Sequence, residues 1–379
     1  MEYYLISTAG YPNFGDEMIV RTWLKYFKIH HPEAKVTLDV PFPARAQFLF
    51  ANDFENIIFV DTVWNAIYKA ESDGASLTNP EKLFEALEGN DPRNSAGINH
   101  LMNAQSIHLL GGGYFSVDQD VFTRTYLFFP LLKYVKDHNP QVKLFATGLG
   151  LTPISSLYAD CLAEKYVPVF DYFGVRDQES AKINGTQYEV DDVFMAKKLD
   201  ALKLNVSDDN PDILLSISSF SSMDDEQNFI AKLIKFLERP ENQTKKIGVL
   251  EAMIPDDNWL FFSDVWNDFP DIKARLKFYG FWDIWQKGIP YKKDQLWVTT
   301  RFHYHLVGAL LGVKGTAVLL GDDYYATKHN SLSKIGTGWQ ILALDSQTDI
   351  KPTSSKMGLK LLQLKIDAKM RRIDNLFID

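Results

Sequence analysis

Short apolar runs that end in glycine, proline or asparagine and hand over to helical spacing recur along this chain. That alternation restricts its fold more than any other feature. Residues 3–7 read as a strand, close in a turn through Gly10, Pro12 and Asn13, and lead into helical spacing over 16–27. Further buried strands are expected at 35–40, 56–60, 106–110 and 142–147, with a helix over 127–136 before the last. A short strand at 172–175 precedes another helix. Repeated strand, helix, strand units with turn residues after each strand predict a parallel sheet covered by helices. The pattern restarts after the polar, proline-containing break at 208–211. Strands at 212–218, 247–253, 295–299 and 317–320, with helices over 225–238 and 303–312, form a second unit of the same kind. The expected fold is α/β, with two Rossmann-like doubly wound domains facing a cleft in the GT-B manner. We place the domains at 1–205 and 206–379.

The end of the chain has its own pattern. Leu359, Leu362, Ile366, Met370, Ile373 and Phe377 recur at three- and four-residue steps, which gives one apolar face of a terminal helix. From 351 to 379 there are five Lys, two Arg and three Asp, so 7 − 3 = +4. The reading we prefer is a helix packed on the body of the protein. The sharper one is a basic amphipathic helix at an anionic membrane surface.

Composition bounds the function. The chain has 379 residues, more than one hydrophobic core usually spans at ~250–300. A net charge of −9 argues against general nucleic-acid binding, although local charge still decides any one site. The one cysteine, Cys161, fits a reducing compartment. The acidic N-terminal stretch does not read as a signal peptide, and no apolar run approaches the ~20 residues of a membrane span. The expectation is a cytoplasmic protein, with peripheral contact at the inner face of the membrane as the second reading.

Four signals follow strands, where sites form in parallel α/β sheets. Asn13, Gly15, Asp16 and Glu17 offer a tight turn and a helix cap. They also offer a carboxylate able to bind or deprotonate a hydroxyl. Gly111, Gly112 and Gly113 let the backbone approach another group closely, as a structural turn or as a ligand cradle, and Gly148, Gly150 and Pro153 form a similar loop. Neither is a dinucleotide fingerprint or a P-loop. Arg176, followed by Asp177 as a natural N-cap, is either a salt-bridge partner or a fork for carboxylate or phosphate. Arg301 and His303 alternate, so in an extended segment they point the same way, an anion site with a proton donor. Lys328 adds a cation downstream. His303 and His305 suggest a metal pair, which is set aside because no third ligand lies at suitable spacing.

In this order, the signals resemble the polysaccharide pyruvyl transferase family. Asn13-Phe14-Gly15-Asp16-Glu17 is similar to its Asn-x-Gly-Asp-Glu turn, and Gly111 to Gly113 to its glycine loop. Gly148 to Pro153 is similar to its Gly-x-Gly-x-x-Pro segment, and Val175 to Ser180 to Val-Arg-Asp-x-x-Ser. Asp191 to Phe194 stands where the family has Asp-Pro-x-Phe, with Val193 in place of the proline. Arg301 and His303 match Arg-x-His, followed by Gly308 to Leu310 and Gly312-Val313, with Lys314-Gly315 replacing a usual proline. Tyr325 to Lys328 resembles Tyr-x-x-Lys. The resemblance covers the chain from the first strand to Lys328.

It implies a transferase that moves the pyruvyl group of phosphoenolpyruvate onto a saccharide, as a ketal, from a donor bound in the interdomain cleft. Carried over by position, Arg176 and Arg301 would hold the donor's phosphate or carboxylate, His303 would be the general acid, and Lys328 would support the phosphate. Asp16, a second catalytic candidate, and Glu17 would orient sugar hydroxyls, with Asn13, Gly112 and Gly113 beside the substrate. No metal or cofactor is expected, and the acceptor could be lipid-linked. Two rivals share the fold: a nucleotide-sugar glycosyltransferase and a non-catalytic glycan-binding protein. The aromatic block at 259–285 is read as core, with a sugar platform or membrane-facing patch as the lesser reading.

Overall fold

Parallel strands need long crossovers, and the helical stretches between the apolar runs supply them. The structure, a computed structural model, describes residues 2–89, 95–115, 123–320 and 323–377. Two compact units emerge. The first comprises Met1–Tyr11, Asp16–Asp192 and Arg371–Asp379, and the second Pro12–Gly15 and Val193–Met370. The chain thus lends four N-terminal residues to the second unit, and its last nine return to the first. A single cut at 205/206 describes neither exchange.

The first unit holds β1 (Glu2–Ile6), β2 (Lys35–Asp39), β3 (Ile57–Val60), β4 (Ser106–Leu109), β5 (Lys143–Leu149), β6 (Tyr172–Val175) and β7 (Gln187–Tyr188). They form one sheet in the order β3-β2-β1-β4-β5-β6-β7, every pair parallel. The second unit holds β8 (Leu204–Val206), β9 (Ile213–Ser216), β10 (Ile247–Leu250), β11 (Leu276–Tyr279), β12 (Ile289–Tyr291), β13 (Leu296–Thr299), β14 (Lys314–Val318) and β15 (Gln340–Leu342). Its main sheet runs β11-β10-β9-β13-β14-β15, and β12 pairs with β8. Both main sheets follow the doubly wound order, which reverses between β1 and β4 and between β9 and β13. Ligands of such sheets bind beyond the strand carboxyl ends at those reversals.

Burial on both faces explains the central strands. All four residues of β4 and of β9 are buried, as expected where helices cover both sides of a parallel sheet. The helix Phe14–His30 carries Asp16 and Glu17 in its first turn and Lys28 and His30 in its last, matching its dipole. The terminal helix Lys356–Leu376 packs through Leu362, Ile366, Met370 and Ile373. Within the first unit Phe377 meets Trp23, Phe27 and Phe145 edge-on.

Several expectations shift. The segment after β6 is not a helix. It turns and makes one short 3₁₀ turn, Ser180–Lys182. Glu179, not Asp177, is its N-cap, while the Asp177 carboxylate accepts from the Ser180 amide at 2.7 Å and hydroxyl at 2.8 Å. The strand expected at 317–320 starts at Lys314. β11 was hidden in the aromatic block, and β15 sits beside polar residues that mask its period. In the block Trp266, Phe281 and Trp285 are buried, Trp259, Phe261, Phe269 and Phe278 pack half-buried against the core, and Phe262 and Trp282 are exposed.

The helix Phe302–Leu310 is held against Trp339 through a residue without a side chain. A Cβ on Gly308 would lie 2.4 Å from Trp339 Cζ2. Gly308→Ala is therefore expected to destabilise the second unit by about 1–3 kcal/mol. Thermal unfolding checks this, and an unchanged midpoint would show that the indole yields freely.

Candidate functional site

The singled-out residues gather at strand carboxyl ends in each unit. In the second, β13 ends at Thr299 and the chain turns into the helix Phe302–Leu310. Arg301 is the residue before that helix, with extended backbone (φ −87°, ψ 123°), and His303 lies in its first turn. The extended segment expected to align them does not form. They meet instead at a helix start, where backbone amides add positive potential beside the guanidinium. Thr299 Oγ1 accepts the Arg301 amide at 2.9 Å and donates to the Ser216 carbonyl at 2.7 Å, tying this turn to β9.

Arg301 is gripped by two carboxylates that no motif in the sequence marks, Asp256 and Asp257. Its Nε donates to both oxygens of Asp257, at 2.9 and 3.1 Å. Its Nη2 also reaches Asp257 and Asp256. Asp257 is fully buried and accepts from the Ala252 amide at 2.9 Å and the Ser216 hydroxyl at 3.3 Å. Burial pushes its carboxyl up, and Arg301 pulls against that shift. The only hint in the sequence was a pair of acids just past a strand.

The segment Pro12–Gly15 lies in this unit. Asn13 bridges to Met253, and the Phe14 amide donates to the Ala252 carbonyl at 2.7 Å. The Phe14 ring stacks on Tyr304 at 4.7 Å. Gly15 is needed for closeness, not for a turn. A Cβ there would sit 1.9 Å from His303 Nδ1, while the left-handed turn falls to Gly10 (φ +93°).

A second pair of imidazoles braces the turn from beneath. His329 Nε2 lies 2.9 Å from the Thr300 carbonyl, His305 Nδ1 lies 3.1 Å from His329 Nδ1, and His305 Nε2 lies 3.0 Å from Thr337 Oγ1. A carbonyl can only accept, so His329 Nε2 carries the proton and its Nδ1 accepts from His305. That leaves His305 Nε2 to accept from Thr337. The chain of donors runs one way only when both rings are neutral. Burial lowers the proton affinity of both, His329 to about 4 and His305 well below the ordinary imidazole range, and the charge of His329 or of Lys328 lowers each in addition. His305 is thus a brace, not half of a metal pair with His303. Among the described residues no group of three or more His, Cys, Asp or Glu is placed to hold a metal ion. Lys328 is half-buried on the helix Asp323–Lys334, next in sequence to His329. The side chain of Tyr325 lies outside the described residues.

In the first unit, the two glycine loops zip together. The Gly150 amide donates to the Gly112 carbonyl at 2.9 Å, and a Cβ on Gly111 would meet the Gly148 carbonyl at 2.8 Å. Asp16 Oδ1 is 3.6 Å from where a Gly112 Cβ would stand. Arg176 Nε is 3.1 Å from the corresponding point at Gly150. Arg176 Nη1 pairs with Asp191 at 2.6 Å, both side chains almost wholly buried. Asp192 accepts from Trp23 Nε1 and Thr147 Oγ1, each at 2.8 Å. So Asp16, from the first turn of its helix, stands beside the strand-end loops that carry Gly112 and Arg176, and Gly113 is next in sequence to Gly112. Glu17 does not present its charge there: it is fully buried and accepts the Gly10 amide at 2.9 Å.

A family model described as polysaccharide pyruvyl transferase matches residues 13–319. No curated protein matches the chain. Among solved structures, a glycosyltransferase from Rickettsia africae is 12% identical, covering 100% of this chain and 99% of its own, at a TM-score of 0.49. MurG from Acinetobacter baumannii is 12% identical, covering 97% and 92%, at 0.46. A UDP-GlcNAc 2-epimerase from Neisseria meningitidis, bound to UDP-GlcNAc, is 9% identical, covering 99% and 92%, at 0.46.

The imidazole brace makes stability pH-dependent with a definite sign. Unfolded histidines take up protons below about 6.5, whereas folded His329 resists until about 4. Its contribution is therefore present above about pH 6.5 and lost as pH falls toward about 4. His329→Asn should flatten that part of the stability curve. Denaturant midpoints across this range check it, and an unchanged slope would show that the ring titrates normally.

Proposed function

This chain belongs to the polysaccharide pyruvyl transferase family, and from that premise we propose that it moves the pyruvyl group of phosphoenolpyruvate onto a sugar of a cell-surface glycan or its precursor. The observation that carries this reading is the pairing of Arg301 and His303 at one helix start, with His303 confined by the absence of a side chain on Gly15.

Phosphoenolpyruvate presents a carboxylate and a phosphate. Arg301, Arg176 and Lys328 are the cations we assign to them, with Asn13 and the Gly112–Gly113 backbone beside the substrate. Asp256 and Asp257 hold the Arg301 fork in one orientation, so an arriving anion meets a guanidinium that is already ordered. His303 protonates the methylene carbon of the donor, which becomes a methyl group and leaves C2 electron-poor. A sugar hydroxyl adds to C2, and the proton it gives up restores the one that His303 donated. The bond from C2 to the phosphate oxygen then breaks, and a second hydroxyl of the same sugar closes the ketal, its proton leaving on phosphate. The cations stabilise charge on the departing phosphate. Asp16 is the carboxylate we assign to the sugar hydroxyls. Glu17, spent on the Gly10 amide, supports that turn from behind. No described helix is long and apolar enough to cross a membrane. We place the reaction in the cytoplasm, where phosphoenolpyruvate would be at hand.

Isothermal titration of phosphoenolpyruvate tests the donor. Wild type should bind it. Arg301→Lys should weaken binding, because a point charge cannot replace the fork; it also leaves a cation beside buried Asp257, which Arg301→Ala would strand. Binding of UDP-sugars instead of phosphoenolpyruvate would hand the site to a glycosyltransferase.

Two variants probe the histidine. His303→Gln should keep donor affinity and lower turnover by about 10²–10⁴-fold. Gly15→Ala, which pushes the imidazole aside, should lower turnover by about 10²-fold. Phosphate release in the presence of a saccharide acceptor measures both. Full turnover by Gly15→Ala would remove His303 from the mechanism.

A further inference from the structure

We infer that the terminal helix Lys356–Leu376 docks on the surface of an anionic lipid bilayer through the face opposite its packed one. Leu362, Ile366, Met370 and Ile373 are buried, as a helix laid on a protein body requires. Met357, Leu361 and Leu364 are nevertheless 70%, 47% and 65% exposed. Their steps of four and three residues stack them into one stripe on the solvent side, at about 100° per residue. A helix that only packs on its own protein has no use for a second apolar stripe.

The charges beside the stripe identify its partner. On a helical projection Lys360 and Arg371 flank it on one side and Lys365 on the other, with Lys356 at its start. Lys360, Arg371 and Lys356 are exposed. Long basic side chains there can lay their methylenes along apolar surface and keep their charges at headgroup level. Residues 356–371 carry four Lys and one Arg against one acid, Asp367, and with Lys369 buried the outward face counts 4 − 1 = +3. Asp367 is itself held by Lys198 at 2.8 Å, and the neighbouring Lys197 is also exposed. The chain as a whole is −9, so this face is opposite in sign to the rest. Screening over about 8 Å lets a surface sense it locally. A second copy of the chain fits poorly, because a twofold contact through this stripe would set its basic rows against each other. Three apolar side chains make the contact reversible and salt-sensitive.

The test is co-sedimentation of the full chain with vesicles of phosphatidylcholine alone or with added phosphatidylglycerol. Wild type should pellet with the anionic vesicles, less so at high salt, and stay in solution with neutral ones. Each lysine removed should weaken binding by about fivefold, so Lys356→Gln with Lys360→Gln should cost more than tenfold. Leu361→Ser with Leu364→Ser should abolish it. These positions are exposed, so far-UV circular dichroism and pyruvyl transfer to a soluble saccharide should stay at wild-type level in both variants. Failure of wild type to bind, equal uptake by neutral vesicles, or binding unaffected by the variants overturns the inference. So does a dimer in sedimentation velocity that Leu361→Ser abolishes, which would give the face to a second copy.

Discussion

Asp257 gathers the strand carboxyl ends of the second unit. One buried carboxylate accepts from Ser216 at the end of β9, from Ala252 after β10 and from Arg301 after β13. Three loops that leave different strands are thereby drawn to one point. A buried carboxylate with that many donors is costly to strand, since removing its charged partner leaves an uncompensated ion. The pair is better understood as a device for orientation than as a source of stability. It sets the plane of the Arg301 fork, and so where any anion must sit.

The first unit repeats the device with different residues. Arg176 is tied to Asp191, and the next residue, Asp192, ties Trp23 on the first helix to Thr147 on β5. Two adjacent acids thus do separate jobs, one positioning a cation and one joining core elements. The glycine loops pack against each other and against these groups, because side chains there would collide with carbonyls or with Asp192. In both units, then, the candidate arginine is paired and ordered by a carboxylate before a ligand arrives.

Much of this was legible in the sequence. The strand carboxyl ends, with Gly112, Arg176 and Arg301 on them, follow from apolar runs broken by turn residues. The buried face of the terminal helix follows from its period. Other features were not legible. Asp257 lies 44 residues before the arginine it orients, and His329 lies 24 after His305. No local pattern announces such a partner. Gly15 was readable as a turn residue and proved to be a clearance for His303. The exposed stripe of Met357, Leu361 and Leu364 was invisible because apolar residues on a helix do not declare which of two faces will be covered.

By itself, then, the sequence determined the alternation of parallel strands and helices in two units, and the order of the chemistry-bearing side chains along them. Those properties are local, set by backbone geometry and by the spacing of apolar residues. Only the tertiary structure decided which carboxylate holds which arginine, which ring nitrogen of His305 and His329 carries the proton, and which carboxylate is withdrawn from the site, as Glu17 is. Those properties arise from burial and from contacts between distant segments. Removing water strengthens each such contact and penalises every group that lacks one, so the fold selects the pairings and the spacing along the chain does not.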